Sequence, residues 1–140
     1  MSAALAQHVP LWVSPFVGLP FAARGRDARR GLDCWGLVVV VYRDRLGLEL
    51  PIWDEYDDVR DRERLDQVVA AALPSFARVA EPRAGDVVLF RIAGHLCHVG
   101  VVADPPWFLH ALEQTHGSVV DRLDSPAWAR RVEGYYRWAA

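Results

Sequence analysis

Asp33-Cys34-Trp35-Gly36, set immediately ahead of the apolar run 37–41, constrains this chain more than any other stretch. Asp33 is an N-cap residue type, able to accept from the free backbone N–H groups of a first helical turn, and Gly47 supplies a stop. A helix is therefore expected from Cys34 to about Leu46. Gly36 in the first turn costs roughly 1 kcal/mol of helix propensity compared with Ala, which points to another backbone, or a substrate, close by. Cys34 then stands at an electropositive helix start, where free N–H groups and aligned dipoles draw a thiol toward thiolate. A small buried hydrophobe and a nucleophile both fit that position.

The 140 residues, 52% of them apolar, suffice for one domain with a real core. Residues 2–18 read as a short helix or irregular lead-in broken by Pro10 and Pro15, and 19–21 as extended. Arg24, Arg26, Arg29 and Arg30 follow as a basic loop, solvated unless it meets an anion. Residues 48–59 form an acidic, irregular connection. In 60–73, Leu65, Val68, Val69 and Leu73 recur at helical spacing, and Pro74 ends that second helix. From Ala80 the pattern changes to short β-branched runs at 86–92, 96–103, 107–112, 118–123 and 132–138. Helices followed by an antiparallel meander make an α+β chain.

Alternation along 96–102 places Cys97, Val99 and Val101 on one face and His98, Gly100 and Val102 on the other. Cys97 is thus read as a core thiol. On the next strand Phe108, His110 and Leu112 share a face, and a hairpin at Asp104-Pro105-Pro106 brings it beside His98. Both histidines are expected to face the helix that starts at Cys34. A thiol nucleophile, an imidazole acid and base, and a third polar group that orients the imidazole make the working set of a cysteine hydrolase. Cys34, His98 and His110 fit those roles.

Other classes are disfavoured. A net charge of −2 and a pI near 6.2 supply no field for nucleic acid. Two cysteines make neither a disulfide scaffold nor a CxxC zinc site, and a zinc module built from His95, His98, His110 and His116 lacks a close ligand pair. No apolar run approaches a membrane span. The start has no signal-peptide pattern, so synthesis in the cytosol without an export signal is expected.

Four motifs occur in order: Asp33-Cys34-Trp35-Gly36-Leu37, Gly85-Asp86-Val87-Val88-Leu89-Phe90, His98-Val99-Gly100-Val101-Val102 and Phe108-Leu109-His110-Ala111. They resemble those of the NlpC-like cell-wall cysteine peptidases, and most of all the short form found in phage tails and phage-like gene transfer agents. Phe16-Val17-Gly18-Leu19-Pro20-Phe21, the arginine loop and residues 128–138 extend the likeness over nearly the whole chain.

The resemblance implies a single papain-like α+β domain, 1–140, with N-terminal helices packed on a central antiparallel sheet. It implies hydrolysis of a peptidoglycan stem-peptide amide between D-glutamate and a diamino acid, without a cofactor. Cys34 is then the nucleophile, His98 the base and later acid, and His110 the orienting member, with the Cys34 backbone N–H at the oxyanion. Asp33, Trp35, Phe21, Arg24 and Arg26 are expected beside the substrate. Tail hub or tip proteins are the implied partners, and the implied place of action is the wall of a target cell reached through a tail. Two residues depart from the pattern: Phe21 stands where many relatives have tyrosine, and Trp35 where many have serine. A structural tail-tip component that keeps the fold with weak or no catalysis is the alternative.

Overall fold

A computed structural model describes residues 6–115 and 117–139. Helix α1 (Cys34–Val41) begins where Asp33 is extended, and the Asp33 carboxylate accepts from the Gly36 N–H at 2.9 Å. Every residue from Gly36 to Val41 is buried, as a helix apolar all round must be. The helix runs on as a π turn, Tyr42–Leu46, and ends on Gly47 in the left-handed region at φ 68°.

Gly36 is required by a backbone. A Cβ there would lie 1.9 Å from the Gly25 carbonyl oxygen. Gly36→Ala is therefore expected to destabilise the protein by about 1–3 kcal/mol in urea unfolding, despite the better helix propensity of alanine.

The arginine loop is a small antiparallel hairpin of β1 (Arg26–Asp27) and β2 (Gly31–Leu32). Asp27 closes it by accepting from the backbone N–H groups of Arg29 and Arg30 at 2.8 and 3.0 Å. Helix α2 (Arg62–Ala72) starts two residues later than its periodicity suggests, because Asp61 caps it by accepting from the Arg64 N–H. Pro74 lies in a 3-10 turn that follows, Leu73–Ser75.

Six strands then build one antiparallel sheet: β3 (Phe76–Val79), β4 (Val87–Ile92), β5 (His95–Val102), β6 (Trp107–Leu112), β7 (Gly117–Arg122) and β8 (Val132–Trp138). Their order is β3-β8-β4-β5-β6-β7, so the last strand enters beside β4. Buried Asp86 fixes it there, accepting both ends of the Arg137 fork at 2.8 Å and the Arg83 N–H at 2.9 Å. That is the structural work of Asp86 in the Gly85-Asp86 motif.

The sheet has two apolar faces. Val87, Val101, Leu109 and Ala111 pack with α1, while Val88, Phe90, Val102 and Phe108 pack with Leu123 and Trp128 on the other side. Between β5 and β6 the ladder holds only at Val101 opposite Leu109 and Val102 opposite Phe108, after which the strands part. The gap left by that parting locates the site. No helix among the described residues is long and apolar enough to cross a membrane.

Candidate active site

Val102 donates its backbone N–H to the Asp86 carbonyl on the β4 side at 2.8 Å, so strand alternation turns the backbone of Val101 and Val99 toward β6. At Val99 the β6 partner has gone. The Val99 N–H there meets the Cys34 thiol, which α1 delivers from its first turn. Burial and then the Asp33 carboxylate push this thiol up to about 12, against the opposing pull of the Val99 N–H and of Arg26.

That direction reverses the expectation drawn from a helix start, for a local reason. The Gly36 N–H, one of the free donors of the first turn, already donates to Asp33. The same carboxylate sets a negative charge next to the thiol, so the cap offsets the positive end that it terminates.

His98 and His110 do not face α1, contrary to the expectation. The period of two gives the α1 side of β5 to Val99 and Val101 and that of β6 to Leu109 and Ala111. The imidazoles therefore join the aromatic face. His98 stacks on Trp128 at 5.6 Å and lies 5.5 Å from Phe90, and His110 meets Trp128 edge-on at 4.8 Å. The two rings bond to each other, His98 Nε2 to His110 Nδ1 at 2.9 Å, where the β5–β6 ladder has stopped. His110 Nε2 continues to Asp121 Oδ2 at 2.7 Å.

Thiol and rings thus flank the gap from its two sides. Cys34 and His98 line one cavity of about 700 Å³, whose walls include Phe21, Trp35, Trp53 and Phe76. Among the described residues no hydrogen bond joins the thiol to either ring in this state.

Burial, then the neighbouring His110 and Arg131, hold His98 well below the ordinary histidine value. Burial also lowers His110, with Asp121 acting against it. The resting pair is a neutral thiol and a neutral imidazole. Because both imidazoles are depressed, the unfolded chain binds more protons than the folded one below about pH 6.5, and stability falls as pH drops through that window. Urea unfolding at pH 7.5 and pH 5.5 is expected to show the loss, and His110→Asn to reduce it.

Arg26 was expected beside substrate, and the structure gives it another task. Its five N–H groups go to the carbonyls of Gly25, Ile52 and Trp53, to Asp33 Oδ1 at 2.7 Å and to the Tyr56 hydroxyl at 3.0 Å. No donor is left for a substrate carboxylate. Asp33 is equally occupied: besides Gly36 and Arg26 it accepts from the Arg24 backbone N–H and the Tyr56 hydroxyl. Arg24 lies outside the cavity lining, its half-exposed side chain 3.6 Å from Asp54.

Tyr56 was missed by sequence reasoning. It comes from the acidic connection 48–59, which has no periodicity to mark it. Its hydroxyl lies close enough to Cys34 for the two groups to interact electrostatically, so a phenol does stand near the Cys34 thiol although Phe21 carries none. Phe21 lines the cavity and packs against the α1 core. Trp35 forms a wall of the cavity, its Nε1–H donating to the Pro51 carbonyl at 2.9 Å and its ring 5.0 Å from Trp53.

Cys97, expected in the core, is half-buried and borders the same cavity as Cys34. The bulge between Phe90 and Arg91 leaves it out of register with β4. His95 bonds Asp66 at 2.6 Å, away from the other two rings, and His116 lies outside the described residues. No cluster of three such side chains able to hold a metal occurs among the described residues.

Comparison with known proteins adds to this geometry. Residues 18–137 match the model of the NlpC/P60 family. The chain is 30% identical over 107 residues to the murein DD-endopeptidase MepS/murein LD-carboxypeptidase of Escherichia coli K12, covering 76% of this chain and 50% of that protein. It is 32% identical over 115 residues to the probable endopeptidase NlpC of the same strain, covering 81% of this chain and 65% of that one. The chain thus spans about half to two-thirds of the length of these curated relatives. Among solved structures, an NLP/P60 family protein similar to a lipoprotein, from Staphylococcus aureus, superposes with a TM-score of 0.64 at 24% identity over 90% of this chain and 38% of that one. The NlpC/p60 domain of the peptidoglycan hydrolase SagA gives 0.59 at 20% identity, covering 91% of this chain and 92% of that domain. The first-turn cysteine, the paired histidines and the antiparallel sheet are the frame of a papain-like α+β fold, and the chain belongs to the NlpC/P60 family.

Proposed function

We propose that this chain is a cysteine peptidase of peptidoglycan that cleaves a stem-peptide amide. One observation carries the reading: in a chain of this family, Cys34 and His98, with His110 behind it, converge on a single cavity large enough for a peptide. With a carbonyl carbon held above the sulfur, the thiol proton passes to His98 as Sγ attacks. The Cys34 backbone N–H holds the oxyanion, a contribution of roughly 3–4 kcal/mol where one such donor has been removed in other enzymes. Collapse sends the His98 proton to the leaving amine, and water then hydrolyses the thioester with His98 again as base.

Two finer statements belong to the same proposal. The bond is that between D-glutamate and a diamino acid, and Arg62 and Arg131 along the cavity offer the positive charge such an acidic peptide needs. The chain is carried to the wall by a phage-like tail, a reading supported by the motif likeness of residues 16–21, the arginine loop and residues 128–138. Digestion of purified diaminopimelate-type peptidoglycan, with released peptides identified by mass spectrometry, tests the bond. Fragments ending in D-glutamate are expected; fragments cut only at D-alanyl cross-links would reassign it.

A further inference from the structure

The hydrogen-bond chain does not end at the second histidine. Asp121 on β7 stands opposite Phe108 and reaches diagonally to the next inward-facing residue of β6, His110, whose Nε2 is 2.7 Å from Asp121 Oδ2. The His110 side chain has no exposure while that of Asp121 is 41% exposed. Asp121 does not line the cavity. It therefore acts on a buried pair from the solvent side and touches no substrate.

We propose that Asp121 is a positioning residue that sets the tautomers of both histidines and thereby makes His98 Nδ1 the basic atom; this rests on the peptidase reading above. The assignment follows from donor and acceptor chemistry. An ionised carboxylate only accepts, so His110 carries its proton on Nε2 and presents the Nδ1 lone pair. His98 Nε2, 2.9 Å away, must then be the protonated nitrogen and donate to it. A neutral His98 with hydrogen on Nε2 has its lone pair on Nδ1. Without the carboxylate the chain can run in the opposite sense: hydrogen on His110 Nδ1, donated to His98 Nε2, and hydrogen on His98 Nδ1. That state has the same number of bonds within the pair and no base for the thiol.

The test uses the full chain, wild type and Asp121→Asn, with ¹⁵N-labelled histidine and Asp121→Glu as the conservative variant. Side-chain ¹⁵N shifts at neutral pH are expected to show hydrogen on Nε2 of both rings in the wild type and in Asp121→Glu. In Asp121→Asn, whose amide can donate to His110 Nε2, hydrogen is expected on Nδ1 of His98. In peptidoglycan assays Asp121→Asn is expected to lower kcat by about 10²-fold or more with KM little changed, and Asp121→Glu to recover most of it. Unchanged tautomers in Asp121→Asn overturn the proposal, whatever happens to the rate. Unchanged kcat in that variant overturns it as well. A wild type that cuts no peptidoglycan sinks the peptidase reading instead, and the tautomer measurement still decides whether Asp121 sets the rings.

Discussion

Asp33→Asn is expected to lower the unfolding free energy by about 3 kcal/mol and, in the same protein, to make Cys34 react faster with iodoacetamide at neutral pH. Asparagine keeps the shape of the cap and an oxygen for the Gly36 N–H, so the helix start is not what is lost. What disappears is the charge, together with the Oδ2 acceptor of the Arg24 N–H, which an amide nitrogen cannot replace. The Arg26 and Asp33 side chains are 14% and 1% exposed, and among the described residues Arg26 has no other carboxylate in contact. Removing one member of a buried pair leaves an uncompensated cation, which costs about 3–5 kcal/mol in comparable cases; the surviving carbonyl and hydroxyl partners of Arg26 place this one at the low end. The same charge pushes the thiol up and Arg26 pulls it down. With Asp33 neutral, Arg26 acts unopposed and more of the sulfur is thiolate. Urea unfolding and the alkylation rate at pH 7 check the two halves. Loss of stability with slower alkylation contradicts the electrostatic part; faster alkylation at unchanged stability contradicts the buried-pair part.

Cys34→Ala is expected to abolish peptide release from peptidoglycan, a fall of at least about 10³-fold, with stability altered by no more than about 1 kcal/mol. A sulfur that serves only as packing predicts the reverse ranking. The pH dependence follows from the resting protonation states. In the proposed mechanism neutral His98 takes the thiol proton, and its own value is depressed, so kcat/KM of the wild type is expected to hold from neutrality down past pH 6.5 and to fall only when His98 gains a proton. A preformed thiolate–imidazolium pair would instead be lost as the thiolate is protonated. An acid limb at or above pH 6.5 counts against the general-base account.

Much of this was legible in the residues. Asp33 as cap, Gly47 as stop, the α2 stripe and strands β4 to β8 are local features, carried by capping chemistry and by periods of 3.6 and 2. Strand β3 was not, because it is a four-residue edge whose one ladder among the described residues is to the distant strand β8. Gly36 announced a close approach, and Gly25 made it. The site was legible as a set of residue types and not as an arrangement. Alternation correctly separated His98 from Cys97 and Val99, yet which face α1 covers is decided by the whole apolar run of two strands, and it chose the valine side. The raised thiol depends on burial by several elements and on the cap carboxylate, opposed by the Val99 N–H and a buried arginine from other segments, a convergence that no spacing encodes. Tyr56 and Asp121 were missed for the same reason: each acts across the fold on a residue far from it in sequence.

The most direct test is to trap the acyl-enzyme. The protein is mixed with a disaccharide-free stem tetrapeptide, quenched in acid within the first turnovers, and measured intact by mass spectrometry, with the adduct located by peptide mapping. The account predicts an added mass equal to the L-alanyl-D-glutamyl acyl group, lost on incubation with hydroxylamine, on Cys34 and absent from Cys34→Ala. An adduct on Cys97, or turnover of the peptide by Cys34→Ala at the wild-type rate, contradicts it.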